Sequence, residues 1–341
     1  MKNIYPLYCN SFKCIAGACP DTCCAQWEIV IDEKYVNLYK SHNSDAAKDA
    51  VSAMYTDSDG DTCLRLTNGR CPMLNGENLC RLYIEIGEDA LCDVCRIYPR
   101  FNKDAEQTNF CGISLSCPEA ARLILGDENM GQLNETPQFE NMKYGFVFKA
   151  YELFRKLCKD GCFMYSLPLA ESVQDEIDFD DLSEAERILD KSDFSFDKQI
   201  IEPGVIAGRI RQMLAFDILK NSWRDTLSNL LNHLEALSED ESLNKEREIM
   251  LSQLYTRREI KNIEIYYLYK YLPEAEEYSD IYTCVSTAVA CTELICELCA
   301  MRKLCTNILE TEHILEFSKD FSKEIEHNGD NMEKFCKLIE L

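Results

Sequence analysis

Cys14-Ile15-Ala16-Gly17-Ala18-Cys19-Pro20-Asp21-Thr22-Cys23-Cys24 places four thiols within eleven positions, among small and polar residues. Loops this short let sulfurs converge on one ion with no regular element between them, so the stretch reads as metal-binding. Working outward, Cys71-Pro72, Cys80, Cys92-x2-Cys95 and Cys117-Pro118 follow. A proline after a cysteine stiffens the chain as it leaves such a site. Pro118 to Gly126 then spells a short helix, with Pro118 suited to its first position and Gly126 to its stop. Cys117 falls at the N-cap of that helix, where the positive end of the helix dipole favours a thiolate.

The distribution of the 20 cysteines supports the same reading. Core cysteines scatter, whereas ligands cluster. Cys9, Cys63, Cys92 and Cys111 join the eight residues Cys14, Cys19, Cys23, Cys24, Cys71, Cys80, Cys95 and Cys117 in the first 117 positions. The remaining eight read as packing. Cys284, Cys291, Cys296, Cys299 and Cys305 share one apolar helical pattern, and Cys158, Cys162 and Cys336 are assigned to the core as well. Zinc would take four thiolates in a closed tetrahedron. An iron–sulfur cubane would take four, or three with one iron open. Spacing alone leaves zinc and iron both open.

Beyond residue 126 the chain changes character. The expected fold class is mainly α: an irregular cysteine-rich metal domain over 1–126, a polar linker over 127–139, and an all-helical region over 140–341. Met142, Phe146, Ala150, Leu153, Phe154 and Leu157 keep helical spacing, with Gly161 as the stop. Further helices are expected over about Val205–Leu237, Leu243–Tyr271, Tyr282–Leu309 and Glu312–Ile325. Asp175–Asp181 reads as a solvated acidic loop, and 41–62 as a loop or weak helix.

Charge narrows the partners. With 60 acidic against 36 basic residues, the net charge of -24 repels phosphate backbones and anionic membranes, so neither nucleic acid nor membrane is expected as a partner. A lysine-bearing protein surface would be attracted. No apolar run of signal-peptide length follows Met1, and the stretch from Ile281 to Thr292 is too short to span a bilayer before Glu293 ends it. A cytoplasmic protein is expected, in which cysteines remain reduced.

Taken together, several ordered motifs resemble the flagellin lysine-N-methylase family, part of a wider group with a CxxCxxCC-like cysteine cluster. They are Cys14-x4-Cys19-x3-Cys23-Cys24-Ala25-Gln26-Trp27, Cys71-Pro72-Met73-Leu74, Leu79-Cys80, Ile86-Gly87-Glu88, Cys95-Arg96-Ile97-Tyr98-Pro99-Arg100 and Leu115-Ser116-Cys117-Pro118 with the residues to Arg122. The resemblance covers about 9–126. The helical remainder is similar in general character and length. It implies a [4Fe-4S] cluster, S-adenosylmethionine as methyl donor, and surface lysines of flagellin as substrate. The eight cysteines that match the family pattern are Cys14, Cys19, Cys23, Cys24, Cys71, Cys80, Cys95 and Cys117.

Neither the Cys-x3-Cys-x2-Cys signature of radical S-adenosylmethionine enzymes nor a Rossmann glycine loop is present. Two mechanisms remain for a methylase. In one, an open iron ligates the donor and the cluster delivers an electron. In the other, the cluster is structural and the methyl moves by displacement. Displacement requires a neutral lysine amine, hence a proton acceptor. Glu28, Glu85, Glu88 and Tyr98 are placed for that role by position, and Arg100 for holding a donor carboxylate. The alternative is a non-enzymatic module, in which zinc or a cluster staples a helical scaffold for protein partners.

Overall fold

The computed structural model describes residues 1–341 except 28, 59, 106–107, 138–141, 161–165, 179–181, 191–199, 276–279 and 340–341. Glu28 and Cys162 therefore lie outside the described residues. The chain is mostly helical, with two small three-stranded sheets among the described residues. It divides into two compact units. One is Lys13–Phe101 with Cys117–Glu119; the other is Met1–Phe12, Asn102–Ser116 and Ala120–Leu341.

The smaller unit contains all eight family-matched cysteines, as well as Cys63 and Cys92. Its sheet pairs β2 (Ile29–Val30) and β3 (Met54–Thr56) antiparallel to β4 (Thr62–Leu64), in the order β2-β4-β3. Helix α1 (Glu33–Ser41) buries Tyr35 and Tyr39. Helix α2 (Asp45–Ala53) forms within the polar run 41–62 because Ala46, Ala47 and Ala50 make one fully buried face. Ser44 caps it, its hydroxyl accepting from the Ala47 N–H at 3.2 Å. Two five-residue helices follow, α3 (Arg81–Glu85) and α4 (Asp93–Ile97).

The larger unit opens with β1 (Lys2–Ile4), which runs parallel to β6 (Thr108–Ile113); the sheet order is β1-β6-β5, with β5 at Arg100–Ala105. The Tyr269 hydroxyl bonds both strands, at Ile4 O and Cys111 O, 2.8 Å each, and Met1–Phe12 and Asn102–Ser116 fold with the helices. Helix α5 (Pro118–Leu125) starts directly after Cys117. Residues 127–137, read as a polar linker, carry defined hydrogen bonds. Asp127 accepts from the N–H groups of Asn129 and Gly131, at 3.0 and 2.8 Å, and Asn262 donates to the carbonyls of Leu125 and Asp127. Gly131 sits at φ +69, and a Cβ there would meet Ile265 Cγ2 at 2.4 Å, so only glycine fits.

The helices are α6 (Met142–Lys159), α7 (Ser166–Asp178), α8 (Leu182–Leu189), α9 (Pro203–Met213), α10 (Asn221–Glu239), α11 (Glu241–Leu254), α12 (Arg258–Tyr271), α13 (Ile281–Thr306), α14 (Thr311–Phe321) and α15 (Gly329–Ile339). Asp175 to Asp178 thus finish a helix where a loop was expected. The expected Val205–Leu237 helix is broken between α9 and α10. Glu324 supplies the reason: its carboxylate accepts from the N–H groups of Leu219 and Lys220 at 2.8 and 3.0 Å, so the break keeps its backbone bonds. Asn331 does the same for Asp217. The expected Leu243–Tyr271 helix also divides, at a turn closed by Arg257 N–H to Leu254 O.

Helix α13 is the core of this unit. Asp280 caps its start, accepting from Thr283 N–H at 2.8 Å, and Asn307 ends it in the left-handed conformation. It packs against α7, α10, α11, α12, α14 and α15. A helix surrounded in this way is apolar on every side. By length and composition α13 could cross a membrane, but 94% of its most apolar window is buried inside the protein. It covers nearly the expected Tyr282–Leu309 helix, and its acidic residues are accommodated inside. Glu297 pairs with Arg247 Nε at 3.0 Å, both buried. Glu293 is pushed up to about 8 by burial, as is Glu264 on α12, whose carboxylate accepts from Thr292 at 2.7 Å.

Candidate metal centre

Backbone pairing in the smaller unit gathers its cysteines. Cys71 N–H donates to Cys24 O at 2.8 Å, Gln26 N–H to Gly69 O at 2.8 Å, and Arg81 N–H to Met73 O at 2.8 Å. Isolated bridges join Ala25 to Arg70 and Leu74 to Cys80. These links put Cys24, Cys71 and Cys80 together although 56 positions separate the first from the last in sequence. The same core holds Cys92 and Cys95. Helix α4 presents that pair, with Cys92 at its N-cap position. An Asp32 carboxylate anchors α4 by accepting from Asp93 N–H at 3.0 Å, and so does not cap its own helix α1. Tyr35 and Lys34 hold the Asp93 side chain, at 3.0 and 2.8 Å. Tyr39 donates to Ala90 O at 2.5 Å and fixes the turn before Cys92.

The thiols differ in what they face. Cys23 Sγ and Cys24 Sγ are 4.0 Å apart. The hydrogen bond from Cys23, together with Thr22 and Arg70, lowers Cys24 to about 7 against burial, while Cys23 is pushed up. Cys92 and Cys95 repeat the arrangement: the hydrogen bond from Cys95 lowers Cys92, helped by the Cys95 N–H, and Cys95 is pushed up. Burial raises Cys71 to about 12, partly offset by the Met73 N–H. Burial raises Cys80 too, offset by the N–H groups of Tyr83 and Leu82. Backbone N–H groups directed at sulfur are what a bound thiolate needs to hold its charge out of water.

Five sulfurs therefore converge, Cys24, Cys71, Cys80, Cys92 and Cys95, each within electrostatic reach of others in the set. Cys14 and Cys117 lie within reach of Cys23, which joins them to this set through Cys24. Cys14 is exposed, and Cys19 is half-buried at the end of an exposed turn over Ala16–Ala18. The donor set fits a thiophilic ion or cluster in kind. It is a convergence of pairs and not a closed polyhedron: among the described residues, no three Cys, His, Asp or Glu side chains stand close enough to hold a metal ion.

Cys92, outside the family pattern with Cys9, Cys63 and Cys111, is among the converging sulfurs. The Cys-x2-Cys spacing with Cys95 was the available signal. Of the other three extras, Cys63 is buried on β4 and donates to Asp57 at 3.4 Å, and Cys9 and Cys111 belong to the larger unit. In the helical region Cys158, Cys284, Cys291, Cys296 and Cys299 are buried as expected, but Cys305 is exposed. Of the acid–base candidates, Glu85 is engaged in the fold. Glu85 accepts from Ala46 N–H at 2.8 Å and pairs with Arg81, so it caps α2. Glu88 is exposed on a short turn, Tyr98 packs edge-on against Trp27 at 5.4 Å, and Arg100 is exposed at the start of β5.

The pattern described as the FliB lysine N-methylase C-terminal domain matches residues 163–341. The chain belongs to the FliB lysine N-methylase family. The match runs through α7 to α15, the part whose sequence resembled that family only in general character. Among similar chains, the flagellar biosynthetic protein FliU of Salmonella muenchen is 30% identical over 141 residues, 39% of this chain and 83% of its own length. Lysine-N-methylases of Salmonella choleraesuis SC-B67 and Salmonella typhimurium LT2 are 30% and 29% identical over 136 residues, 38% of this chain. The matched region spans about a third of the length of those two proteins, 34% in each. No solved structure matches.

Within the family-matched helices, a second polar cluster was not legible in the sequence. Glu326 ends a wide helical turn at Ser322–Glu326 and accepts from Tyr266 at 2.8 Å, Ser322 at 3.0 Å and Lys270. His327 Nε2 lies 2.7 and 2.8 Å from the hydroxyls of Ser114 and Ser116. Burial would raise Glu326, but the charges of Lys270 and His327 and the hydrogen bonds hold it below the usual range. The carboxylate is thus satisfied internally and fastens the turn to α12.

Proposed function

We propose that this protein is a protein-lysine N-methyltransferase that acts on flagellin with S-adenosylmethionine as methyl donor. Membership of the FliB lysine N-methylase family is the observation that carries this reading. The flagellar name of one relative and the lysine-N-methylase names of two others point to the substrate class. The acidic surface, with its net charge of -24, suits approach to lysine-bearing partners. A cytoplasmic setting, where thiols stay reduced, belongs to the same proposal.

In this reading the cysteine unit holds a [4Fe-4S] cluster, which the family resemblance implies. A cubane takes at most four thiolates; Cys24, Cys71, Cys80, Cys92 and Cys95 are the foremost candidates for them, and Cys14, Cys19, Cys23 and Cys117 the remaining ones. A bound cluster supplies Lewis-acid or one-electron chemistry. The chain's own residues bury the sulfurs among Tyr35, Tyr39, Met73 and Leu82 and direct backbone N–H groups at them. Methyl transfer by displacement would also require an acceptor for the lysine proton.

The test combines metal analysis with activity. Protein purified without oxygen is expected to carry iron and acid-labile sulfide. Incubated with flagellin and S-adenosylmethionine, it is expected to add one methyl mass per modified lysine. Metal-loaded protein that adds no methyl counts against the enzyme. A second reading, a non-catalytic zinc-stapled module, is favoured by one distance. The 4.0 Å between Cys23 and Cys24 sulfurs is close to the edge of about 3.8 Å expected of a tetrahedron with Zn–S bonds of about 2.3 Å. Zinc at unit stoichiometry, without iron, would select it.

A further inference from the structure

Asp32 stands where a helix cap is expected and does not act as one. It directly precedes α1, yet its side chain makes no bond to that helix. The carboxylate instead crosses to α4, 61 positions away, and accepts from Asp93 N–H at 3.0 Å. Asp93 lies inside the Cys92-x2-Cys95 pair. A cap on its own helix is the bond that an aspartate at this position ordinarily makes. Here that bond is replaced by one to the backbone that carries two of the converging sulfurs.

The rest of α1 closes on the same point. Lys34 and the Tyr35 hydroxyl both donate to the Asp93 carboxylate, at 2.8 and 3.0 Å, and Arg96 does so from within α4 at 2.7 Å. One turn further along α1, Tyr39 donates to Ala90 O at 2.5 Å, just ahead of Cys92. Tyr35 and Tyr39 are buried in the core that also holds Cys92 and Cys95. Helix α4 has five residues. So short a helix has little stability of its own, and its placement depends on these outside bonds.

Charge points the same way. The Asp32 carboxylate lies within electrostatic reach of the Cys92 sulfur. Beside it, Asp93 pairs with two cations, Lys34 and Arg96. With Asp32 included these four charges cancel; without it they leave one positive charge near the thiols. A carboxylate held there opposes further negative charge on whatever the thiols bind. We propose that Asp32 is a positioning residue of the metal centre, which presents Cys92 and Cys95 for ligation through α4 and disfavours reduction of the bound group by its charge. The inference rests on the reading of the cysteine unit as a metal centre, and it gives Asp32 no contact with the metal. Partners of this kind, outside the ligands themselves, orient a site and tune it.

Three variants of the full chain, purified without oxygen, separate the two roles. Asp32→Asn keeps an oxygen for Asp93 N–H and loses the charge. Asp32→Ala loses both. Asp45→Asn removes an exposed carboxylate on α2 and serves as the control. Transfer of the bound metal to a competing chelator is measured first. Asp32→Ala is expected to hold its metal roughly 10- to 100-fold more weakly than the unaltered chain, whereas Asp32→Asn and Asp45→Asn hold it as the unaltered chain does. The reduction potential of the iron-bearing protein is measured next. Asp32→Asn is expected to favour the reduced centre about tenfold, a rise of about 59 mV for one electron, with Asp45→Asn unmoved. A residue that merely supports the fold would not shift that potential. Metal held as tightly by Asp32→Ala as by the unaltered chain, or an unmoved potential in Asp32→Asn, overturns the proposal while the metal reading stands. Zinc in place of iron overturns the iron–sulfur reading and the reduction half of the proposal, and the chelator comparison then supports or overturns the positioning. Protein that holds no metal overturns the centre and this inference with it.

Discussion

Replacing Cys92 by serine separates a ligand from a packing residue, because the unit contains a matched control. Cys92 is 2% exposed and Cys63 is 0% exposed, and both lie in the smaller unit. Steric and solvation costs of Cys→Ser are therefore comparable at the two positions. Burying a hydroxyl in place of a thiol costs about 1–3 kcal/mol when its hydrogen bonds are imperfect. At Cys63 the Asp57 carboxylate, 3.4 Å from the sulfur, can accept from the new hydroxyl, so the lower end applies. Cys92 differs in its neighbours: Cys95 hydrogen-bonds it, and Cys71 and Cys80 lie within electrostatic reach. If those sulfurs hold a metal, folding free energy on the order of 10 kcal/mol depends on the set. Cys92→Ser should then lower the metal content sharply and lower the unfolding temperature far more than Cys63→Ser, which should keep its metal. The assay is metal content by plasma spectrometry, paired with thermal unfolding before and after a chelator. Equal metal content in the two variants, with equal small shifts in unfolding temperature, would refute the assignment of Cys92 to the centre.

Two further outcomes follow from the helical core. Glu264 and Glu293 are each raised from 4.5 to about 8, so they fold as neutral acids at pH 7. Below 4.5 both folded and unfolded forms are protonated and nothing is lost; between 4.5 and about 8 stability declines by about 1.4 kcal/mol per pH unit per group. Unfolding midpoints measured from pH 5 to pH 8.5 should fall with rising pH, and Glu264→Gln should make that slope shallower; an unchanged slope would contradict the assignment. Arg247→Met leaves Glu297 buried without its partner and should cost about 3–5 kcal/mol, whereas the double variant with Glu297→Gln should recover much of the loss, as denaturant unfolding would show.

Legibility in the sequence followed how local each interaction is. Helix α5 was readable because Pro118 and the stop at Gly126 are local signals, and α6 because its apolar positions repeat every three to four residues. The breaks between α9 and α10 and between α11 and α12 were not readable in the same way. The bonds that satisfy the first break come from Glu324 and Asn331, more than 100 positions away. The long core helix α13 was readable from its apolar pattern nearly to its observed bounds; that Glu297 inside it is paired with Arg247 on α11 was not.

The same division applies to the candidate centre. Clustering and order of cysteines are properties of the sequence, and they were enough to name eight residues and a family. Which sulfurs converge is decided by tertiary structure, since Cys24, Cys71 and Cys80 are joined by backbone pairing between distant loops. Helix α4 brings in Cys92 and Cys95, and Cys14 is left exposed. Spacing records how far apart thiols are along the chain, whereas ligation depends on how far apart they are in space, and only the folded backbone sets that distance.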